Sequence, residues 1–107
     1  MDMNCLFCKI LDKQIPAKIE YEDDNVMVFH DINPKAPVHL LIIPKKHIAT
    51  MMDVTEEDLS IISYIHKIAQ EQYHKLGLKG MRLINNCGEK GGQEVFHLHY
   101  HLLGWTE

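Results

Sequence analysis

Three imidazoles alternate with apolar side chains in His97-Leu98-His99-Tyr100-His101-Leu102-Leu103. On a strand, that period of two places all three histidines on one face and Leu98, Tyr100 and Leu102 on the other. Same-face Cα atoms then lie roughly 6.5–7 Å apart, so neighbouring rings can share a phosphate-sized substrate or a metal ion. Imidazole titrates near neutrality, which suits such a face to proton transfer, nucleophilic attack or metal ligation. A polar outer sheet face that happens to contain histidine is the bland alternative. His39, inside Val38-His39-Leu40-Leu41-Ile42-Ile43, shares its face with Leu41 and Ile43 and needs a polar partner. Either the backbone satisfies it, or it is a fourth member of the histidine group.

Two further features carry chemistry. Asn86-Cys87-Gly88-Glu89-Lys90-Gly91-Gly92-Gln93 precedes the histidine strand, and its paired glycines permit backbone N–H groups to approach an anion closely. A plain turn is the alternative reading. Cys5-Leu6-Phe7-Cys8 can clip two thiolates onto zinc, but a closed tetrahedral site needs two more ligands from elsewhere. Two buried thiols, or a redox pair, remain open; the redox reading is the weaker because only four residues precede Cys5. Cys87 reads as a packing residue or an oxidisable thiol, and His30, His66 and His74 are assigned no role.

The elements that must position these groups follow from pattern. Leu6, Ile10 and Leu11 give a short N-terminal helix over about 4–13, which Pro16 stops. Residues 18–21 and 26–31 flank the polar Glu22-Asp23-Asp24-Asn25 and read as a β-hairpin. Residues 38–43 form a buried strand closed by Pro44. Thr55-Glu56-Glu57-Asp58 opens a long helix that runs to Leu76, with Leu59, Ile62 and Ala69 on one stripe, Ile61, Ile65 and Ile68 on a second, and Gly77 as its C-cap. Residues 81–86 and 95–103 supply two more strands. The class is α+β: a five-stranded antiparallel sheet with two helices.

The bulk properties narrow the partners. A length of 107 residues makes one domain, residues 1–107. Eleven Lys and Arg against fifteen Asp and Glu leave a net charge of −4, which lacks the basic field that collects polynucleotide or anionic lipid. No apolar run is long enough for a signal peptide or a membrane span, and three cysteines do not make a secreted disulfide framework, so a cytoplasmic location is expected. The two apolar stripes of the long helix exceed what a two-layer monomer of this size covers easily, which points to a homodimer with sheets paired edge to edge.

His97-Leu98-His99-Tyr100-His101-Leu102-Leu103 matches the His-φ-His-φ-His-φ-φ signature of the histidine triad (HIT) superfamily. The stretch from Phe29 to His39, then Ile43-Pro44-Lys45-Lys46-His47-Ile48, Gly91-Gly92-Gln93-Glu94-Val95-Phe96, and IPAKIEYEDD near the start all resemble its nucleotide-binding branch, the purine nucleoside phosphoramidases. The resemblance covers essentially the whole chain.

It implies a homodimeric hydrolase of purine nucleoside 5′-phosphoramidates that works through a covalent nucleotidyl-histidine. His99 would be the nucleophile, His101 would assist proton delivery to the leaving group, and His39 would tune it from behind. Asn86 and the backbone around Gly92, Gln93 and Glu94 would hold phosphate oxygens, and Asp31 would accept from the ribose hydroxyls. Phe7, Ile10, Ile15, Phe29 and Ile32 would form the base slot, with plain core as the alternative for these five. Some members pair the Cys-x-x-C with residues corresponding to His47 and His97, which implies a structural zinc on Cys5, Cys8, His47 and His97. The chain departs from some members at Glu94, where they carry serine. Two other functions compete: a hydrolase whose catalytic metal is held by the histidine cluster, and a non-catalytic nucleotide-binding or scaffolding dimer.

Overall fold

The computed structural model describes residues 4–107. Its elements run α1 (Leu6–Leu11), β1 (Ile19–Glu22), β2 (Val26–His30), β3 (Val38–Pro44), α2 (Leu59–Lys75), β4 (Gly80–Ile84) and β5 (Tyr100–Trp105), with single 3-10 turns at Met51–Asp53, Glu56–Asp58 and Glu89–Gly91. The strands form one antiparallel sheet in the order β1-β2-β3-β5-β4. The expected α+β class, five strands and two helices are all present.

The sheet separates two cores. Val26, Val28, Leu40, Ile42 and Leu102 face α2 and pack on Ile65, Ile68 and Ala69. Met27, Phe29, Leu41 and Ile43, the alternate residues of β2 and β3, face α1 and pack on Cys5, Phe7, Cys8 and Ile10. Continuous burial along β2 and β3 follows, because each is covered on both sides. The hairpin turn is closed by Asp23, whose carboxylate accepts from the backbone N–H groups of Asn25 and Val26 and from the hydroxyls of Tyr21 and Tyr64.

Two boundaries differ from the sequence reading by more than two residues. Thr55 and Asp58 form the anticipated capping box, yet it closes a 3-10 turn and α2 itself begins at Leu59. Leu59 is 56% exposed, so the buried stripe is Ile65, Ile68, Ala69 and Gln72. The last strand begins at Tyr100 instead of residue 95. The β3–β5 register would set Pro44 opposite Leu98, and proline has no N–H with which to extend the ladder. Leu98 donates instead to the carbonyl of Ile48, at 2.6 Å. His97 and His99 therefore lie on an unpaired lead-in that bends at His97, and of the three only His101 sits in the sheet.

Candidate active site and metal-ligand cluster

The lead-in and β5 carry the histidines past a cavity of about 190 Å3 lined by Phe7, Asp31, Asn33, Lys35, Leu41, Asn86, Gly92, Glu94, Val95, His99 and His101. The hydrogen bonds around each ring fix its tautomer. His99 Nδ1 lies 2.7 Å from the carbonyl oxygen of His97, and a carbonyl only accepts, so Nδ1 carries the proton. The lone pair of His99 is left on Nε2, on the opposite side of the ring. Phe7 fixes the ring plane by an edge-to-face contact, centroids 5.0 Å apart.

The second ring is fixed from behind. The backbone N–H of Lys35 donates to His39 Nδ1 at 3.1 Å, which puts the proton of neutral His39 on Nε2. That N–H donates to His101 Nδ1 at 3.0 Å, with the Asp31 carboxylate 3.4 Å away as a second acceptor. His101 therefore holds its own proton on Nε2. Burial pushes His101 down to about 4, aided by the neighbouring His99 and His39 rings and by Lys35, against the opposing charge of Asp31. Burial also lowers His99 and His39 from the ordinary range, so all three rings are neutral at pH 7. The cavity thus presents an imidazole lone pair beside an imidazole N–H, with ring centroids 5.0 Å apart. That pairing is what stepwise displacement at phosphorus requires.

Asp31, His39 and His101 also lie close enough together to hold a cation. However, His39 already accepts through Nδ1 and carries its proton on Nε2, the nitrogen that would have to ligate. Its chemistry is that of a hydrogen-bond relay.

The other residues named from sequence divide into three groups. Asp31, Asn86, Gly92, Glu94 and Phe7 line the cavity with His99 and His101. Ile10 and Phe29 are buried in the α1-side core, with Ile15 packed on its edge, while Ile32 is 91% exposed. Gln93 is buried, its carboxamide accepting from Gly88 N–H and donating to the carbonyls of Ala49 and Val95. The glycine loop is also more occupied than a free anion nest. The N–H groups of Gly91, Gly92 and Gln93 donate to the carbonyls of Gly88, Glu89 and Gly88. Gly88 and Gly92 take positive φ values of 77° and 93°, and Gly92 comes close enough to Asn86 that an added Cβ would rest on its carboxamide.

Asn33, Lys35, Leu41 and Val95 of the cavity lining were not named as site residues from sequence, nor was Asn85 beside it. Lys35 lies on the Pro34–Pro37 loop, outside any periodic segment. Asn85 donates through Nδ2 to the carbonyl of His99 at 2.8 Å and so holds that backbone where the β4–β5 ladder has ended. Its only sequence signal is its place beside Asn86.

Cys5, Cys8, His47 and His97 converge on the other side of the lead-in, where one donor atom from each lies within 4.8 Å of the others. His97 Nε2 donates to the Pro44 carbonyl at 2.8 Å, so its lone pair sits on Nδ1 and faces the group. Nδ1 stands 3.5 Å from both Cys5 Sγ and Cys8 Sγ and 3.1 Å from His47 Nδ1; Cys8 Sγ is 3.3 Å from His47 Nδ1. Ideal zinc bond lengths in a tetrahedron place two nitrogens about 3.4 Å apart and nitrogen and sulfur about 3.6 Å apart. These four separations lie within about 0.3 Å of those values, so the donor set fits zinc. Cys5 Sγ also accepts from the Cys8 N–H at the start of α1.

Among known proteins, the HIT domain profile matches residues 12–107. An uncharacterized HIT-like protein of Buchnera aphidicola is 43% identical over 106 residues, 97% of this chain and 93% of its own. The structure of a HIT family hydrolase from Clostridium thermocellum is 52% identical and superposes with a TM-score of 0.95, covering 98% of this chain and 93% of that one. A zinc-bound histidine triad family protein from Mycobacterium smegmatis is 33% identical with a TM-score of 0.82, covering 95% and 75%. The alternating histidines, the sheet that carries them and a profile spanning nearly the whole chain agree, and this protein belongs to the HIT domain family.

Proposed function

We propose that the protein is a nucleotide-binding hydrolase that cleaves purine nucleoside 5′-phosphoramidates or related nucleotidyl conjugates, in the manner of the phosphoramidase branch of the family. The observation that carries this reading is the tautomer pair: a lone pair on His99 Nε2 beside a proton on His101 Nε2, both lining one cavity.

In this reading His99 Nε2 attacks phosphorus and the bond to the leaving nitrogen breaks. The electron pair goes with that nitrogen, which leaves as the amine on taking the His101 Nε2 proton; the negative charge this leaves on the His101 ring is balanced by the positive charge gained on the His99 ring 5.0 Å away and is held by the His39 Nε2–H. Positive charge developing on the His99 ring is stabilised through Nδ1–H by the His97 carbonyl. Water then attacks phosphorus, the phosphorus–nitrogen bond to His99 breaks, and the water's proton returns to His101. His39 is a positioning residue that keeps the His101 proton on Nε2. Asn86 and the loop around Gly92, Gln93 and Glu94 hold the phosphate, and Asp31 accepts from the ribose. Phe7 provides the wall for the base, backed by Ile10, Ile15 and Phe29, and the exposed Ile32, between the cavity-lining Asp31 and Asn33, would cover it.

Cys5, Cys8, His47 and His97 would hold a structural zinc. Bound there, the ion would cross-link α1, the segment after β3 and the lead-in. Its four protein ligands leave no open position for chemistry. The protein works as a homodimer, supported by two uncovered sheet edges, β1 and β4, and by the exposed Leu59 and half-buried Ile61 and Ile62 of α2. Light scattering at micromolar concentration tests it; a monomer refutes it. An odd number of cysteines, three, with two of them only three positions apart, supports a cytoplasmic location. Among the described residues no helix is long and apolar enough to cross a membrane.

The deciding experiment is intact-protein mass spectrometry during turnover of adenosine 5′-phosphoramidate. A nucleotidyl adduct that vanishes in His99→Ala supports the mechanism. Rapid turnover with no adduct at any quench time, or with the adduct retained in the variant, overturns it.

A further inference from the structure

A cavity of about 240 Å3 opens between the start of α1 and the chain leading to His97, lined by Asn4, Cys5, Leu6, Glu94, Val95 and Phe96. It reaches Cys5 of the cysteine–histidine cluster but not Cys8, which is 1% exposed. Leu6 and Phe96 are exposed and make its walls largely apolar, and Glu94 is the only charged residue in the lining. A small neutral molecule therefore enters more readily than an anion.

The two thiols are placed to react with each other. The Lys9 N–H donates to the Cys5 carbonyl at 3.1 Å, closing one helical turn through Leu6 and Phe7. Cα atoms three residues apart across such a turn lie about 5 Å from each other, inside the roughly 4.4–6.8 Å span that disulfides use. Both sulfurs converge on His97 Nδ1, 3.5 Å from each, and lie within 4.8 Å of one another. Cys87 sits on the glycine loop, outside this group.

We propose that Cys5 and Cys8 form a reversible oxidation site for small hydroperoxides, with Cys5 the attacked thiol and Cys8 the resolving one. Cys5–SH and hydrogen peroxide give Cys5–SOH and water. Cys8 Sγ then attacks the Cys5 sulfur, the sulfur–oxygen bond breaks, and the hydroxyl leaves with the Cys8 proton as a second water. Two electrons pass from the thiols to the peroxide. Where zinc holds the pair as thiolates, the two protons come from solvent, and the ion is released because both sulfur donors are lost. The effect reaches the histidine cavity through the segment after β3. His47 belongs to the cluster, and beside it the Ile48 carbonyl accepts from the Leu98 N–H at 2.6 Å. The Ala49 carbonyl accepts from Gln93, whose carboxamide oxygen holds the Gly88 N–H. The disulfide withdraws both sulfurs from His47 and His97, so this segment, the lead-in and the glycine loop loosen together. The chemistry is independent of the hydrolase reading.

The test oxidises the purified protein with hydrogen peroxide, quenches with catalase, alkylates the remaining thiols and maps peptides by mass spectrometry. Cys5 and Cys8 share the tryptic peptide 1–9, which should lose both alkylations together and become two hydrogens lighter than its reduced form. That loss should run about tenfold or more ahead of oxidation at Cys87 and reverse with dithiothreitol. Zinc carried by the purified protein should appear free, read with a metallochromic dye, in step with the disulfide. Dimedone should trap a sulfenic acid on Cys5 in Cys8→Ser and label Cys8 far less in Cys5→Ser; peptide mapping of wild type decides even where a serine variant fails to fold. Hydrogen exchange across residues 93–99 should quicken on oxidation and recover on reduction. Cys5 and Cys8 that stay alkylatable until Cys87 is consumed, or that go to irreversible sulfinic acid, overturn the site, as does zinc that stays on the oxidised protein. Cys8 labelled ahead of Cys5 overturns the entry route, and exchange indifferent to the disulfide overturns the link to the histidine cavity.

Discussion

His39 gives the most informative perturbation because, with unsubstituted adenosine 5′-phosphoramidate as substrate, its side chain acts only through His101. Replacing it by leucine, of similar size, removes the Nε2–H that now points at His101 Nδ1 from 3.0 Å. His101 is then free to carry its proton on Nδ1, which turns a lone pair toward the leaving group in place of a donor. The loss is the bias from one neutral hydrogen bond, about 0.5–1.5 kcal/mol, or roughly two- to twelvefold in kcat. His39→Gln restores a side-chain N–H near the same place and should recover part of it. The base wall and phosphate donors are untouched, so KM should change less than kcat. Single-turnover kinetics with adenosine 5′-phosphoramidate, and melting temperatures for both variants, provide the assay. Leucine and glutamine variants indistinguishable from wild type would refute the tautomer argument. A thousandfold loss in both, with the fold intact, would show that His39 takes part in the chemistry itself.

Three other outcomes follow from the same geometry. His99→Ala should lower turnover by at least about a thousandfold while nucleoside monophosphate binding stays measurable by calorimetry, since the attacking atom goes and the binding surface stays. Because burial holds His101 near 4, below its ordinary 6.5, its neutral form is favoured by folding; the stability it adds is full above about pH 6.5 and drains as pH falls toward 4. Melting temperature should therefore hold level above about pH 6.5 and fall between 6.5 and 4, while kcat/KM, which reads the folded protein, should fall only as pH approaches 4; an activity optimum near pH 4 would contradict this. Cys5→Ser combined with Cys8→Ser should abolish the zinc found by elemental analysis and lower the melting temperature by about 4–8 °C for each kcal/mol lost, without abolishing turnover. Chelation that stops turnover before it lowers melting would instead favour a catalytic metal.

Period and punctuation made the sheet legible. Pro44 and Gly77 end their elements as their backbone chemistry requires, and Asp23 closes its turn with the side-chain bonds its position predicts. The alternating histidines pointed to the site, but a ladder was the wrong reason for the lead-in. Period two anticipates a paired strand, whereas the chain bends at His97 and residues 97–99 pair with no strand. What holds them is long-range: Ile48 O, Pro44 O and the Asn85 carboxamide. None of these is marked by local pattern. His47 and His97, fifty residues apart, could be joined only through resemblance, and Lys35 carries no periodic signal because its position is set by a loop between two prolines.

The arrangement links the two histidine groups through backbone more than through the sheet. His97 uses Nε2 on Pro44, offers Nδ1 to the cysteine cluster, and lends its carbonyl to Nδ1 of His99. One residue therefore sets the tautomer of its neighbour and belongs to the metal-ligand group at once. His101 draws its orientation from a different source, the β3–β5 ladder and His39 behind it. Loosening the lead-in should then misplace the attacking nitrogen while leaving the proton donor in position, and loss of the β3 relay should do the reverse. The two atoms that must cooperate at phosphorus are held by independent supports, so damage to one support separates attack from protonation.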